Sequence, residues 1–254
     1  MRQKVDQEYI DMYHITPENF WLALEHMGRY AYAAWMVGKR KYKSVLDVAC
    51  SNGFGCEKLA DAGTQVVGVD INEQSIAAAR ERHRNREDIR YSVADVDGEG
   101  WADALDAKKY DAIVCFEAIE HVRHPEKLLC TLATMLKPNA RLLLSVPAAE
   151  YESLDENGHP VSPYHQHVFS RLDISAMLAK AGLSVERMLG QPDMNRLMRK
   201  HNTFCSRNEE LVPFTTTSFK MSPESIAYYI QMFAYPEKGN LKDTYSHIYV
   251  LKRT

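Results

Sequence analysis

The sequence predicts a doubly wound α/β domain on a mostly parallel sheet, and three observations carry that expectation. Short runs rich in Val, Ile and Leu alternate with longer segments of helical apolar spacing along most of the chain. The first apolar run ends in a loop holding Ser51, Asn52, Gly53 and Gly55, which opens a helical pattern. The next two runs end on acids, Asp70 and Asp95, which parallel pairing would bring out along one sheet edge.

In chain order, Thr16, Pro17 and Glu18 supply a helix N-cap with proline at the first helical position, and the aromatic-rich segment to about Gly38 has helical spacing. Strands are then expected at 44–49, 65–69, 89–94, 110–116, 141–146, 183–189 and 247–251. Helices are expected at 55–62, 72–86, 125–136 and 171–181. Ser170 to Asp173 reads as a capping box with Asp in the Glu position, and Ala181-Gly182 as a glycine stop. Residues 147–168 and 191–245 fall outside the minimal alternation, and the second has its own helical pattern at 223–233. Long insertions in a compact domain usually carry function. The division expected is a helical cap at 1–40, a domain at 41–254 and a substrate-side insertion at 191–245. An aromatic stripe of this kind (Tyr9, Tyr13, Phe20, Trp21, Tyr30, Tyr32, Trp35) equally describes ordinary core.

A chain of 254 residues buries a sizeable core as one decorated domain. Its net charge of −3 gives no electrostatic reason to expect tight binding to a nucleic-acid backbone. Its five cysteines form no CxxC pairs, which speaks against a disulfide framework or structural zinc. The first residues have no apolar signal-like core, and no run approaches the roughly 18 apolar residues of a membrane span. Together these lead us to expect a cytoplasmic protein without membrane segments.

The chemistry concentrates in two blocks. In VLDVACSNGFG and VVGVDIN, a buried strand, a small-residue loop and a following acid suit a nucleoside, the acid accepting ribose hydroxyls. The GxGxxG fingerprint of dinucleotide binders is absent. In FEAIEHV, Glu117, Glu120 and His121 fall at i, i+3 and i+4, so one helical turn would put all three on one face. The segment PYHQHVF carries His165 and His167 to the same edge, so two carboxylates and several imidazoles converge there. That is a mixed oxygen and nitrogen donor set for a metal, or equally a base with packed neighbours. Arg187, Arg196, Arg199, Lys200, His201 and Arg207 make one stretch basic, a solvated face or a phosphate or carboxylate reader.

The first block resembles the class I S-adenosylmethionine-dependent methyltransferases over roughly residues 44–189. It departs from them by lacking one more glycine near Ala49 or Ser51. The resemblance implies a seven-stranded Rossmann-like sheet whose last strand is antiparallel. It also implies that Asp47, Ala49, Ser51, Gly53, Asp70, Ile71, Asp95, Val96 and Phe116 surround S-adenosylmethionine, with Asp70 at the ribose and Asp95 near the adenine amino group. The second block resembles the metal site of RNA 3′-terminal 2′-O-methyltransferases, and related ExxEH patterns occur in methyltransferases of quinones and sugars. It implies a divalent metal on Glu117, Glu120, His121 and His165, with His121, His165 and His167 as candidate bases. The expected activity is O-methylation of a small polar metabolite or saccharide precursor, with phosphorylated acceptors in the same class. The alternatives are methylation of an RNA end and a non-catalytic cofactor-binding scaffold.

Overall fold

The computed structural model describes residues 11–16, 19–105, 109–192, 226–227, 229–238, 241 and 244–254. Seven strands form one sheet: β1 (Ser44–Val48), β2 (Gln65–Asp70), β3 (Ile89–Val93), β4 (Tyr110–Phe116), β5 (Leu136–Pro147), β6 (Leu183–Pro192) and β7 (Thr244–Arg253). Their order is β3-β2-β1-β4-β5-β7-β6. The pairs β1–β2, β2–β3, β1–β4 and β4–β5 are parallel, while β7 runs antiparallel to both β5 and β6. Strand order reverses between β1 and β4, the crevice where open α/β sheets receive ligands.

The helices are α1 (Phe20–Arg40), α2 (Phe54–Ala60), α3 (Glu73–Arg82), α4 (Pro125–Thr134) and α5 (Arg171–Lys180). Both sheet faces are covered, which is why β1 and β4 read as continuous apolar runs. One core joins Leu46, Ile113, Leu142 and Leu144 to Leu128, Leu129 and Leu132 of α4 and Ile174 and Leu178 of α5. The opposite core joins Val45, Val114 and Leu143 to Ala33 and Val37 of α1, Leu59 of α2 and Ile76 of α3. A fully buried Ile113 or Leu129 contributes about 1.5–3 kcal/mol.

Several expected boundaries move. The regular part of α1 begins at Phe20 behind Asn19, while Pro17 and Glu18 lie outside the described residues. Thr16 and Asn19 still exchange the two side-chain bonds of a capping box, Thr16 N donating to Asn19 Oδ1 and Asn19 N to Thr16 Oγ1. α3 stops at Arg82 rather than near residue 86, because buried His83 turns inward, its Nδ1 2.8 Å from Tyr91 Oη. β5 starts five residues earlier than expected, at Leu136, through an irregular register that pairs Leu136 with Tyr110. β6 continues to Pro192 and β7 starts at Thr244, so both ends of the segment read as an insertion are sheet. Most of that segment, with Arg196 to Arg207 and with residues 223–225 and 228 of the expected helical pattern, lies outside the described residues. A short π-helical turn is described at Ile230–Ala234. Ser170 and Asp173 form the reciprocal capping box, and Gly182 takes a left-handed φ of 67°. Among the described residues, no helix is long and apolar enough to cross a membrane.

Candidate active site

The first loop leaves β1 through three left-handed residues, Ala49 (φ 59°), Ser51 (φ 49°) and Gly53 (φ 84°). Only the last is a glycine, and there it is required: a Cβ would lie 2.3 Å from Tyr91 Oη. Ala49 and Ser51 adopt a conformation that costs an L-residue roughly 1–2 kcal/mol. The structure therefore keeps the loop's backbone path at the positions where the expected extra glycine is missing. Gly55, which opens α2, would place a Cβ 2.0 Å from Tyr30 Cε1. Asp47 does not line the loop surface: it is 0% exposed and sits beneath it. Tyr30 Oη donates to its carboxylate at 3.1 and 3.3 Å, and the Cys56 thiol donates at 3.3 Å. Burial pushes the Asp47 carboxyl up to about 7.

Asp70 joins the first loop to the second. Its Oδ2 accepts from Ser51 N at 2.8 Å and its Oδ1 from Asn72 N at 2.8 Å. Each carboxylate oxygen keeps a further lone pair, the capacity that two vicinal hydroxyls require. Burial raises the carboxyl, and the backbone donors Asn72, Ser51 and Ile71 oppose that shift. Ile71, directly after it, is 47% exposed, an apolar surface at a polar edge. After β3, Asp95 is exposed and accepts from Asp97 N in a local turn, with Val96 half-buried beside it. Asp97, which sequence reasoning passed over, ties the third loop to the fourth by accepting from Arg123 N and His124 N. Phe116 closes β4, with its ring 5.3 Å from that of Tyr30.

The segment after β4 is not the helical turn expected from the i, i+3, i+4 spacing. Glu117 has φ 45° and only Ile119–His121 forms a 3₁₀ turn, because Glu117 remains tied to the neighbouring strand. Its N donates to Ser145 Oγ, while its Oε1 accepts from Ser145 Oγ at 2.6 Å and Ser246 Oγ at 2.8 Å. Glu117 thus stands apart from the group that does form, Glu120, His121 and His165, whose ligand atoms lie within 4.8 Å of one another. Glu120 is buried, and neither of its carboxyl oxygens has a hydrogen-bond partner. Burial, with the Glu117 charge behind it, pushes its carboxyl well above the ordinary range.

The two imidazoles are oriented from outside the group. His121 Nδ1 lies 3.0 Å from the Tyr164 carbonyl, which can only accept, so Nδ1 carries the proton and the neutral ring keeps its lone pair on Nε2. That Nε2 is 3.8 Å from Glu120 Oε1. His165 Nδ1 lies 2.9 Å from Glu152 Oε1, and its ring meets His121 edge-on at 4.8 Å. His167 turns elsewhere: its Nε2 is 3.0 Å from the Val122 carbonyl and its ring stacks on Phe169. The loop is held against the 3₁₀ turn because Gln166 N and His167 N both donate to Glu120 O. Glu152 and the Tyr164 carbonyl carried no spacing signal, since each acts across a loop.

A family model described as a methyltransferase domain matches residues 27–187. A protein of Mycolicibacterium smegmatis named as a probable S-adenosylmethionine-dependent methyltransferase is 27% identical over 69% of this chain and 64% of its own length. A ubiquinone biosynthesis O-methyltransferase of Coxiella burnetii is 35% identical over 41% of this chain and 44% of its own. The chain thus spans less than two thirds of these curated relatives. Among solved structures, an S-adenosylmethionine-dependent methyltransferase from Clostridium acetobutylicum matches with a TM-score of 0.56 at 11% identity, over 89% of this chain and 91% of that one. One from Mesorhizobium loti matches with a TM-score of 0.55 at 15% identity, over 87% and 98%. At these identities the structural matches speak for the fold.

Proposed function

The chain belongs to the class I S-adenosylmethionine-dependent methyltransferase family, and on that premise we propose that it methylates a hydroxyl of a small polar metabolite or saccharide precursor. The observation that carries this reading is the pairing, at one sheet edge, of the Asp70-braced loop with an oriented imidazole. S-adenosylmethionine, when bound, supplies an electrophilic methyl group on a sulfonium. The backbone of Ala49 to Gly53 would hold its methionine part, Asp70 its ribose hydroxyls, and Ile71 with Val96 and Asp95 its adenine. Exposed apolar Ile71 and the spare acceptor capacity of Asp70 fit that assignment.

His121 is our candidate base. Its proton sits on Nδ1 against Tyr164 O, its Nε2 is the acceptor, and its side chain is 34% exposed. An acceptor hydroxyl attacking the methyl carbon in line would give its proton to Nε2, a contribution of typically 10²–10⁴-fold. His165, held by Glu152, would position that acceptor, and the segment 191–245 would shape the far wall of its pocket. His167 is a weaker candidate, since its Nε2 already faces Val122 O.

A second reading of the same group is favoured by one observation, the orphaned carboxyl oxygens of buried Glu120 beside two imidazoles. One carboxylate and two histidines, His121 oriented through its Nδ1 by the Tyr164 carbonyl, suit a transition-metal ion better than Mg²⁺. Glu120, His121 and His165 would hold it, without Glu117, and it would lower the pKa of a bound hydroxyl. Calorimetry with S-adenosylhomocysteine tests the premise, and transfer of labelled methyl to a panel of phenols, sugars and an RNA 3′ end tests the acceptor class. Turnover lost in chelator and restored by Mn²⁺, Co²⁺ or Zn²⁺ supports the metal reading. Full turnover in chelator, lost in His121→Asn, supports the base. Turnover confined to the RNA end would overturn the small-molecule assignment.

A further inference from the structure

Arg29 of α1 is 1% exposed, yet among the described residues no carboxylate pairs with it at contact distance. Its Nη1 donates to Gln191 Oε1 at 2.6 Å, its Nη2 lies 3.0 Å from His26 Nδ1, and its Nε has no hydrogen-bond partner. Both partners are neutral. Gln191 is an amide, and burial together with the Arg29 charge holds His26 well below its ordinary range, so its Nδ1 accepts. Among the described residues no carboxylate oxygen comes within 4.0 Å of the guanidinium. Glu117 is engaged with Ser145 and Ser246, and neither carboxyl oxygen of Glu120 is hydrogen-bonded to the guanidinium.

A guanidinium cannot shed its charge, and burying an ion costs several kcal/mol that two neutral hydrogen bonds only partly offset. Such a charge gains from any anion that reaches it. The location narrows what that ion belongs to. Arg29 is clamped to the end of β6, four strands from β1 in the sheet order, on the half away from the loops of β1, β2 and β3. Gln191 is itself fixed, its Nε2 donating to Glu25 O at 2.6 Å and Ala234 O at 2.9 Å. Gln191 pairs in the ladder with Ser246, whose Oγ donates to Glu117 Oε1, so the clamp that holds Arg29 adjoins the segment after β4.

We propose that Arg29 is a specificity residue for an acceptor that carries an anionic group, a carboxylate or a phosphate monoester, anchored so that its hydroxyl faces His121. This rests on the methyltransferase reading above. The guanidinium fork matches either anion in two parallel hydrogen bonds, and its unsatisfied Nε is one of the donors such a bidentate contact uses. The apolar floor of α1 and the neutral Gln191 and His26 hold the fork in place without competing for it.

The test uses protein saturated with S-adenosylhomocysteine and two matched probe pairs: 3,4-dihydroxybenzoate against catechol, and glucose 6-phosphate against glucose. Binding is measured by calorimetry for the parent, Arg29→Met and Arg29→Lys. We expect at least one anionic probe to bind the parent about tenfold or more tightly than its neutral partner, the range of a charged hydrogen-bonded contact. The preference should vanish in Arg29→Met and be weakened but present in Arg29→Lys, with S-adenosylhomocysteine affinity unchanged in both. If the Met variant does not fold, the Lys variant carries the test through its reduced preference. Equal binding of both members of each pair to the parent, or an undiminished preference in the variants, overturns the proposal. A loss of S-adenosylhomocysteine affinity in the variants also overturns it, by making Arg29 a cofactor ligand. Failure of the parent to bind S-adenosylhomocysteine would instead sink the methyltransferase reading itself.

Discussion

Replacing Asp47 with asparagine should tilt the pH dependence of folding in a direction opposite to that of an ordinary surface aspartate. The carboxyl lies beneath the first loop, fully buried, between Tyr30 Oη and the Cys56 thiol. Burial raises it from 3.8 to about 7, so the folded protein prefers the protonated acid. The associated stability is present in full below about pH 4 and is lost as pH climbs from about 4 to about 7. Three pKa units correspond to about 4 kcal/mol, of which about 1.7 kcal/mol is already lost at pH 5. Between pH 5 and pH 8 the parent should therefore lose about 2.5 kcal/mol relative to Asp47→Asn, or about 1.4 kcal/mol if the folded value lies one unit lower. Any pH-independent cost of the amide shifts the two curves apart without changing this slope. Urea unfolding of both proteins at pH 5, 6, 7 and 8, without cofactor, measures it. Stability curves that stay parallel within about 0.5 kcal/mol across the range would refute the assignment of a neutral acid under the loop.

Asp70→Ala should weaken S-adenosylmethionine binding by about tenfold or more, since it removes a charged acceptor of roughly 1.5–3 kcal/mol, whereas exposed Asp95→Ala should cost under about threefold. Indistinguishable affinities in calorimetry would mean that the ribose acid is misplaced. Ala49→Gly should stabilise the protein by about 0.5–1 kcal/mol, the left-handed penalty relieved less the extra freedom of an unfolded glycine, and a lowered Tm would contradict this. Gly55→Ala drives a methyl into the Tyr30 ring, and thermal unfolding should report a loss of about 1–3 kcal/mol. If His121 is the base, His121→Asn should flatten the acid limb of the pH profile of kcat as well as lowering it, and a reduced but unshifted limb would assign the proton to another group.

Features with local causes were the ones legible in the sequence. Alternating runs located every strand because β1, β4 and β5 are buried on both faces, and the Ser170 box and Gly182 stop were readable because each closes within a few residues. Asp70 could be nominated because a parallel strand must deliver its last residue to the ligand edge. What failed depended on distant partners. α3 ended early because Tyr91 draws in His83, and the i, i+3, i+4 face dissolved because Ser145 and Ser246 hold Glu117 to the sheet. Arg29, Glu152 and the Tyr164 carbonyl meet their partners across 162, 13 and 43 positions, where no periodicity survives. The left-handed Ala49 and Ser51 occupy an intermediate place, since a missing glycine was visible and its backbone consequence was not.

The antiparallel strand β7 has a consequence for how the chain reaches this state. It follows all the others in sequence yet lies inside the sheet, between β5 and β6. Until residues 244–253 are available, β5 presents an open flank and β6 has no ladder to join. A chain whose residues 244–253 are not yet in place must therefore shelter two unpaired, apolar strand edges, the kind of exposure that invites intermolecular pairing. Closure of that gap is a long-range event that joins Leu143 to Val250, so it should set the pace of refolding and depend on the final strand far more than on the loops that hold ligand.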